Sequence, residues 1–218
     1  MSRQGSGPAL RLESAPGRAP VRADCIVPAA GRSRRMGRAK QLLDAGGEPL
    51  VRCVVRRLLG SGRRCLVVTG ARASEVAAAL VGLDGVQLVH NPDYRHGMLG
   101  SILSGVPYVR TPWFLVAPAD MPQLPPELPS RLEALAAELS GETGSEPAAV
   151  FPVFRGRRGH PVLIRTRVAA ELTTAAGTAD SMRELLAGQP VRELPVDDPG
   201  ILLDIDTPED YRRFTSGG

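Results

Sequence analysis

The segment Asp24-Cys25-Ile26-Val27-Pro28-Ala29-Ala30-Gly31-Arg32-Ser33-Arg34-Arg35-Met36-Gly37-Arg38-Ala39-Lys40 opens on an apolar strand, Asp24 to Ala29, and runs directly into a basic loop bounded by Gly31 and Gly37. A short apolar run stopped by glycine reads as a buried strand. The alternation repeats downstream. A helical pattern from Pro49 to about Leu59 precedes the strand Arg64 to Thr69, and an alanine-rich helix from about Ser74 to Val81 precedes a strand at Val86 to His90. Helical spacing through Met98, Ile102, Leu103 and Val106 covers Gly97 to Val109. Trp113 to Ala117 is a fourth strand, almost wholly apolar and so expected to be buried on both faces. Strands alternating with helices in this order predict an α/β chain, with a mostly parallel sheet, right-handed crossovers and helices on both faces. Ligands of such sheets bind past the carboxyl ends of the strands, so the loop after the first strand and Asp120 after the fourth are expected at one rim.

Beyond Asp120 the pattern is less regular. A helix from about Pro126 to Leu139 leads into the polar stretch Gly141 to Pro147. Strands at Ala148 to Val153 and Pro161 to Ile164 are expected to form a hairpin through Arg155-Gly156-Arg157-Arg158-Gly159. Helices near Arg167 to Ala176 and Ser181 to Ala187 follow, then a strand near Val191 to Leu194. The segment from Leu203 reads as a strand entering a helix, with Thr207 as N-cap, Pro208 at the first helical position, and Glu209 and Asp210 complementing the helix dipole. No internal repeat is visible. The chain divides into a flexible tail rich in Gly, Pro, Ser and Arg over residues 1–22 and one expected domain over 23–215.

Composition sets limits on function. A hydrophobic fraction of 43% and a charged fraction of 23% are those of a globular protein. No apolar run approaches the roughly 20 residues of a spanning helix, and the first 22 residues lack the apolar centre of a secretion signal. Cys25, Cys53 and Cys65 are far apart, without a Cys-x-x-Cys pair, and each sits in an apolar run. Buried thiols and a reducing, cytoplasmic setting are expected. The net charge of +4 favours phosphorylated ligands or nucleic acid. With aromatics at only 4% there is no stacking cluster for nucleic acid, and Asp120 would go unexplained.

The first loop has what polyphosphate binding requires. Gly31 and Gly37 let backbone amides approach oxygens, and Arg32, Arg34, Arg35 and Lys40 neutralise charge. It is neither a Walker loop, since Gly37 is followed by Arg38-Ala39-Lys40, nor a Gly-x-Gly-x-x-Gly turn. Lys40 is the only lysine of a chain otherwise rich in arginine, which hints at a need for a compact ammonium.

These residues resemble the nucleotidyltransferases of molybdenum cofactor maturation, whose signature looks like Leu-Ala-Ala/Gly-Gly-x-Ser-x-Arg-Met-Gly-x-x-Lys; here Pro28 replaces the usual leucine. The resemblance continues in Asn91-Pro92 with Gly97-Met98 and Ser101, in Pro118-Ala119-Asp120-Met121-Pro122, in Gly159-His160-Pro161, and in Asp204-Ile205-Asp206-Thr207-Pro208-Glu209-Asp210. It implies a three-layer, Rossmann-like fold of the nucleotide-diphospho-sugar transferase type. It also implies that Arg35 and Lys40 hold the β- and γ-phosphates, that Asp120 and Asp206 bind Mg²⁺, and that Ala29, Ala30, Gly31, Ser33, Gly37, Asn91, Gly97 and Ser101 contact the nucleotide. Asp204 is the alternative second ligand, a structural turn is the alternative for Asn91, and His160 is the candidate for the acceptor edge.

The reaction so implied is transfer of CMP from CTP to the terminal phosphate of molybdopterin carrying molybdenum, with release of pyrophosphate. A phosphate monoester is already mostly ionised at neutral pH, so no strong general base is required. The implied partners are CTP, a phosphorylated pterin and a recipient molybdenum hydroxylase, without nucleic acid or membrane. Guanylyl transfer, nucleotidyl transfer to a sugar phosphate or other phosphorylated small molecule, and a non-catalytic role in cofactor delivery are the alternatives. Guanylyl-transferring relatives look like Leu-Ala-Gly-Gly where this chain has Pro28-Ala29-Ala30-Gly31, so the Ala30 methyl group is expected under the base, narrowing the pocket against a purine.

Overall fold

Cys25, Ile26 and Val27, all fully buried, form the middle of strand β1 (Asp24–Pro28), which lies at the centre of the sheet. The computed structural model describes residues 22–31, 39–60, 62–139, 146–175 (backbone alone at 172–175) and 181–216. The tail expected over 1–22 lies outside these except for Arg22. β1 is flanked in parallel by β2 (Cys65–Thr69) and β4 (Trp113–Val116), and β2 pairs in parallel with β3 (Val86–His90). β7 (Val162–Arg165) runs antiparallel to β4 and to β5 (Ala149–Phe154), which returns β5 to the direction of β4. β6 (Arg157–Arg158) pairs antiparallel with β5 at Val153 and Phe154, and β8 (Val191–Pro195) pairs in parallel with β5 over Ala149 to Val153. Because β8 pairs with the residues that also meet β6 and β7, those two short strands continue one another along the opposite side of β5. Only β6 and β7 run against the rest, so the mostly parallel expectation holds.

Side chains alternate across a strand, and β1 shows the result. Cys25 and Val27 enter one core with residues of α1 (Leu50–Leu59), α2 (Ala73–Ala79) and α4 (Leu128–Leu139), while Ile26 enters the other with α3 (Met98–Gly105), α5 (Thr166–Ala175) and the start of α6 (Met182–Leu185). Helices therefore cover both faces. Each such Ile, Val or Leu, once out of water, contributes about 1.5–3 kcal/mol. Polar groups at the strand start are also satisfied. Asp24 is buried but accepts from Arg64 Nη2 at 2.6 Å and from the Arg110 amide at 2.7 Å.

The C-terminal helix α7 (Pro208–Ser216) begins as expected: the Thr207 amide donates to the Asp210 carboxylate at 2.8 Å, and the Asp210 amide returns a bond to Thr207 Oγ1 at 3.2 Å. Tyr211 and Phe214 pack on Leu43, Leu50 and Ile205, tying this helix to the segment after the first loop.

Three expectations need correction. The helix expected to reach Val109 ends at Gly105 and tightens into a 3₁₀ turn at Val106–Tyr108, because Pro107 has no amide to continue the α-helical ladder. The strand expected from Leu203 is absent, since the Ile205 amide donates to the Asp120 carbonyl at 3.0 Å instead of to a ladder. The single expected hairpin is a β5–β6 hairpin, turning at Arg155 (φ 48°) and Gly156 (φ 76°), followed by β7 after a break at 159–161. Two successive positive φ angles suit the tight turn of a twisted hairpin.

Candidate functional site

The loop after β1 and the segment after β4 meet at the carboxyl rim, as the order of elements predicts. Ala29 and Ala30 are buried, and Gly31 is exposed with nothing within 4 Å of where a side chain would begin. Arg32, Ser33, Arg34, Arg35 and Gly37 lie outside the described residues, so the expected phosphate contacts of Ser33, Arg35 and Gly37 are not placed. The chain returns at Ala39, and a 3₁₀ turn at Lys40–Leu42 points two side chains back into the rim. Gln41 is buried and donates through Nε2 to the carbonyls of Ala29 at 3.2 Å and Gly31 at 3.3 Å. Nothing in the sequence singles out Gln41, yet it fixes both ends of the loop.

Lys40 is the hub. Its ammonium is ion-paired with the carboxylate of Asp120 and lies 2.6 Å from Asp206 Oδ1. The paired residues Lys40 and Asp206 are 166 positions apart in sequence. Burial acts to lower the Lys40 pKa, but Asp120 and then Asp206 outweigh it, so the net shift is upward and the amine is held charged. Asp120 is 5% exposed, and its Oδ1 is buried without a hydrogen-bond partner. An orphaned carboxylate oxygen at that depth is costly unless a cation or donor arrives. Asp204 stands nearby on the exposed side, with its pKa raised by burial and by the charges of Asp206 and Asp120.

These donors suit a hard divalent cation, which prefers one or two carboxylates completed by waters and substrate phosphates. Among the described residues no group of three His, Cys, Asp or Glu side chains forms a ready-made cage. Asp120 and Asp206 are the pair brought together around Lys40, and Asp204 lies within reach of their charge.

Asn91 and Ser101 are both buried and bond each other, Asn91 Nδ2 donating to Ser101 Oγ at 3.2 Å. Asn91 Oδ1 accepts the Asp93 amide at 2.9 Å, which is the turn role. The pair fastens the end of β3 to the first turn of α3, and Gly97, at φ 97°, allows the chain to reverse between them. The structure therefore brings all three to the start of α3, with the two polar side chains engaged by protein.

Ala30 is 2% exposed, and a Cβ on Gly70 would stand 2.9 Å from its methyl and 2.6 Å from Tyr94 Cβ. The methyl lies beside Gly70 and Tyr94.

His160 sits at the break between β6 and β7. Its amide donates to the Ile201 carbonyl at 2.9 Å and Nδ1 faces the Val116 carbonyl at 3.4 Å. Burial lowers its pKa, against the opposing effects of the Val116 carbonyl and the charges of Asp120 and Asp204. The ring is thus neutral near pH 7. With the proton on Nδ1, Nε2 is left as an acceptor.

A family model described as MobA-like NTP transferase domain matches residues 25–194. The chain is 29% identical over 188 residues to the molybdenum cofactor cytidylyltransferase of Escherichia coli (strain K12), covering 86% of this chain and 93% of that protein. It is 42% identical over 106 residues to a probable molybdenum cofactor guanylyltransferase of Natronomonas pharaonis, covering 47% and 52%. The crystal structure of Rv0371c from Mycobacterium tuberculosis H37Rv superposes with a TM-score of 0.72 at 26% identity, covering 89% of this chain and 98% of that one. A structure of the same mycobacterial protein in complex with manganese superposes with a TM-score of 0.68 at 24% identity, covering 90% and 100%. The three cysteines are buried and free, and no described helix is long and apolar enough to cross a membrane.

Proposed function

The chain belongs to the MobA-like NTP transferase domain family, and from that premise we propose that it transfers CMP from CTP to the terminal phosphate of molybdopterin carrying molybdenum, passing the product to a molybdenum hydroxylase. The observation that carries the reading is the Lys40 ammonium between Asp120 and Asp206, beside the loop after β1. A Mg²⁺ ion held by Asp120 and Asp206 would neutralise charge on the triphosphate. The choice of molybdopterin and of CTP is supported by the relative matched over 86% of the chain.

In this reading a phosphate oxygen of the acceptor attacks the α-phosphorus of CTP in line. A new P–O–P bond forms, the bond between the α-phosphorus and its bridging oxygen breaks, and pyrophosphate leaves with the electron pair. Lys40 provides fixed positive charge where the leaving group gains negative charge, which needs no reorganisation at the moment of reaction. Gln41 keeps the loop ends at one spacing, so the nucleotide is positioned before it reacts. His160, neutral, offers Nε2 at the edge where the acceptor arrives.

Pyrophosphate release with CTP, GTP, UTP and ATP, each with Mg²⁺ or Mn²⁺ and molybdopterin, tests the reading. CTP should give the largest kcat/KM. A preference for GTP would transfer the assignment to guanylyl transfer, the activity named for the archaeal relative. Absence of release with every triphosphate would overturn it.

A further inference from the structure

A cavity of about 690 Å³ opens between the start of α3, the β5–β6 hairpin, β7 and the start of α6. Among the described residues, neither Ala29, Ala30 and Gly31 nor Lys40, Asp120 or Asp206 lines it. It reaches the candidate site through His160, whose ring feels the charges of Asp120 and Asp204. The volume falls within the roughly 300–1,000 Å³ of small-molecule sites.

The lining is divided by chemistry. Ile102, Val162 and Ile164 give an apolar floor that belongs to the second core. Above it, Arg158 lies over the Phe151 ring, with 4.8 Å from Cζ to the ring centroid, and its Nε donates to Glu193 Oε1 at 2.7 Å. Ring and carboxylate together position the guanidinium at the cavity wall. Arg157 and Arg183 add positive charge, against Glu193 alone. A small phosphorylated sugar would leave the apolar floor wet, and a neutral apolar ligand would leave the arginines without a counter-charge. What the lining matches is a planar ring bearing anionic groups, since guanidinium stacks on flat π-systems and also pairs with oxyanions.

We propose that this cavity holds the ring system of the acceptor and that Arg158, lying over Phe151 and hydrogen-bonded to Glu193, selects a planar anionic heterocycle over a small phosphorylated sugar. This rests on the reading of the chain as a nucleotidyltransferase, whose reacting phosphate would lie at the His160 end. Arg158 is a selectivity residue, two positions further out along the hairpin than His160, and has no part in binding the triphosphate.

The test is calorimetric titration of the nucleotide-free protein with two probes, a phosphate ester of a pterin and ribose 5-phosphate. The wild type should bind the pterin ester at least tenfold more tightly than the sugar phosphate. Arg158→Gln should lose about tenfold for the pterin ester alone, on the scale of one cation–π contact. Arg158→Lys should recover only part, because an ammonium lacks the planar fork. The thermal shift given by CTP with Mn²⁺ serves as a control for folding and should be the same in all three proteins. Equal affinity of Arg158→Gln and wild type for the pterin ester, or equal affinity of the wild type for the two probes, would overturn the proposal. Failure of the nucleotidyltransferase reading would look different: no CTP-dependent shift and no pyrophosphate release in the wild type, with the probe affinities unaffected.

Discussion

Replacing Lys40 by methionine should make the protein bind Mn²⁺ more tightly in the absence of nucleotide while nearly abolishing turnover. The side chains of Lys40, Asp120 and Asp206 are only 23%, 7% and 26% exposed. At the effective dielectric of such a site, a unit charge about 4 Å from another is worth about 4 kcal/mol gross, most of it offset by removing both from water. If about 1.4 kcal/mol survives, the ammonium competes with a cation for the two carboxylates by about tenfold. Lys40→Met removes the competitor and leaves two acids facing each other, so the variant should be destabilised in EDTA and rescued by metal. For a chain of this size each kcal/mol moves Tm by about 2–4 °C, so saturating Mn²⁺ should raise the Tm of the variant by roughly 3–6 °C more than that of the wild type. Turnover with saturating substrates should fall by about 10² or more, the scale for one preorganised charge. Equal Mn²⁺ shifts in both proteins, read by differential scanning fluorimetry, would show that Asp120 and Asp206 do not share a cation site that Lys40 occupies.

The single variants Asp120→Asn and Asp206→Asn should each remove most of the metal-supported activity, and the double variant should be little worse than either; multiplicative losses across a metal titration would contradict a shared ion. Gly159→Ala should destabilise by about 1–3 kcal/mol, because the new Cβ would stand 2.3 Å from the Ile201 carbonyl oxygen, whereas Gly31→Ala, with no atom within 4 Å, should leave Tm unchanged. Glu133→Gln should cost about 3–5 kcal/mol in urea unfolding, since Glu133 accepts two bonds from the buried Arg63 guanidinium and one from the Ala23 amide. His160, with a pKa lowered from 6.5 by burial, binds fewer protons folded than unfolded, so its contribution is complete at higher pH and is lost as pH falls below 6.5. The wild-type Tm should therefore drop more steeply than that of His160→Gln between pH 7 and pH 5.

The parallel half of the sheet was legible because β1, β2 and β4 are buried on both faces, and such strands read as unbroken apolar runs ended by Gly or Pro. Asp120 was legible as a charged residue past the end of a strand, where an α/β sheet collects its ligands, and Lys40 as the only lysine of the chain, whereas Asp206 was singled out only by the resemblance to the family. The strand expected from Leu203 failed because a partner distant in sequence decided the outcome. Leu203 to Asp206 alternates like a strand, but the Ile205 amide goes to Asp120. Asn91 and Ser101 have the polarity of ligand contacts, and their bond to each other appears only once β3 and α3 are side by side. Gln41 and the Arg158–Phe151 pair give no periodic or motif signal, because their roles depend on backbone carbonyls and a ring brought near by folding.

The 166-residue interval between Lys40 and Asp206 has a consequence for biosynthesis. A ribosome releases the chain from its N-terminus, so β1 to β4 emerge with Lys40 and Asp120 already able to meet while Asp206 is still inside the exit tunnel. Asp206 follows Asp120 by 86 residues, so at about 5–20 residues per second roughly 4–17 seconds pass in which the nascent chain has Lys40 and Asp120 but not the second acid of the cation site. The tie from Ile205 to the Asp120 carbonyl can form only after Ile205 and Asp206 have emerged, so Asp206 can join Lys40 and Asp120 only later than those two can join each other.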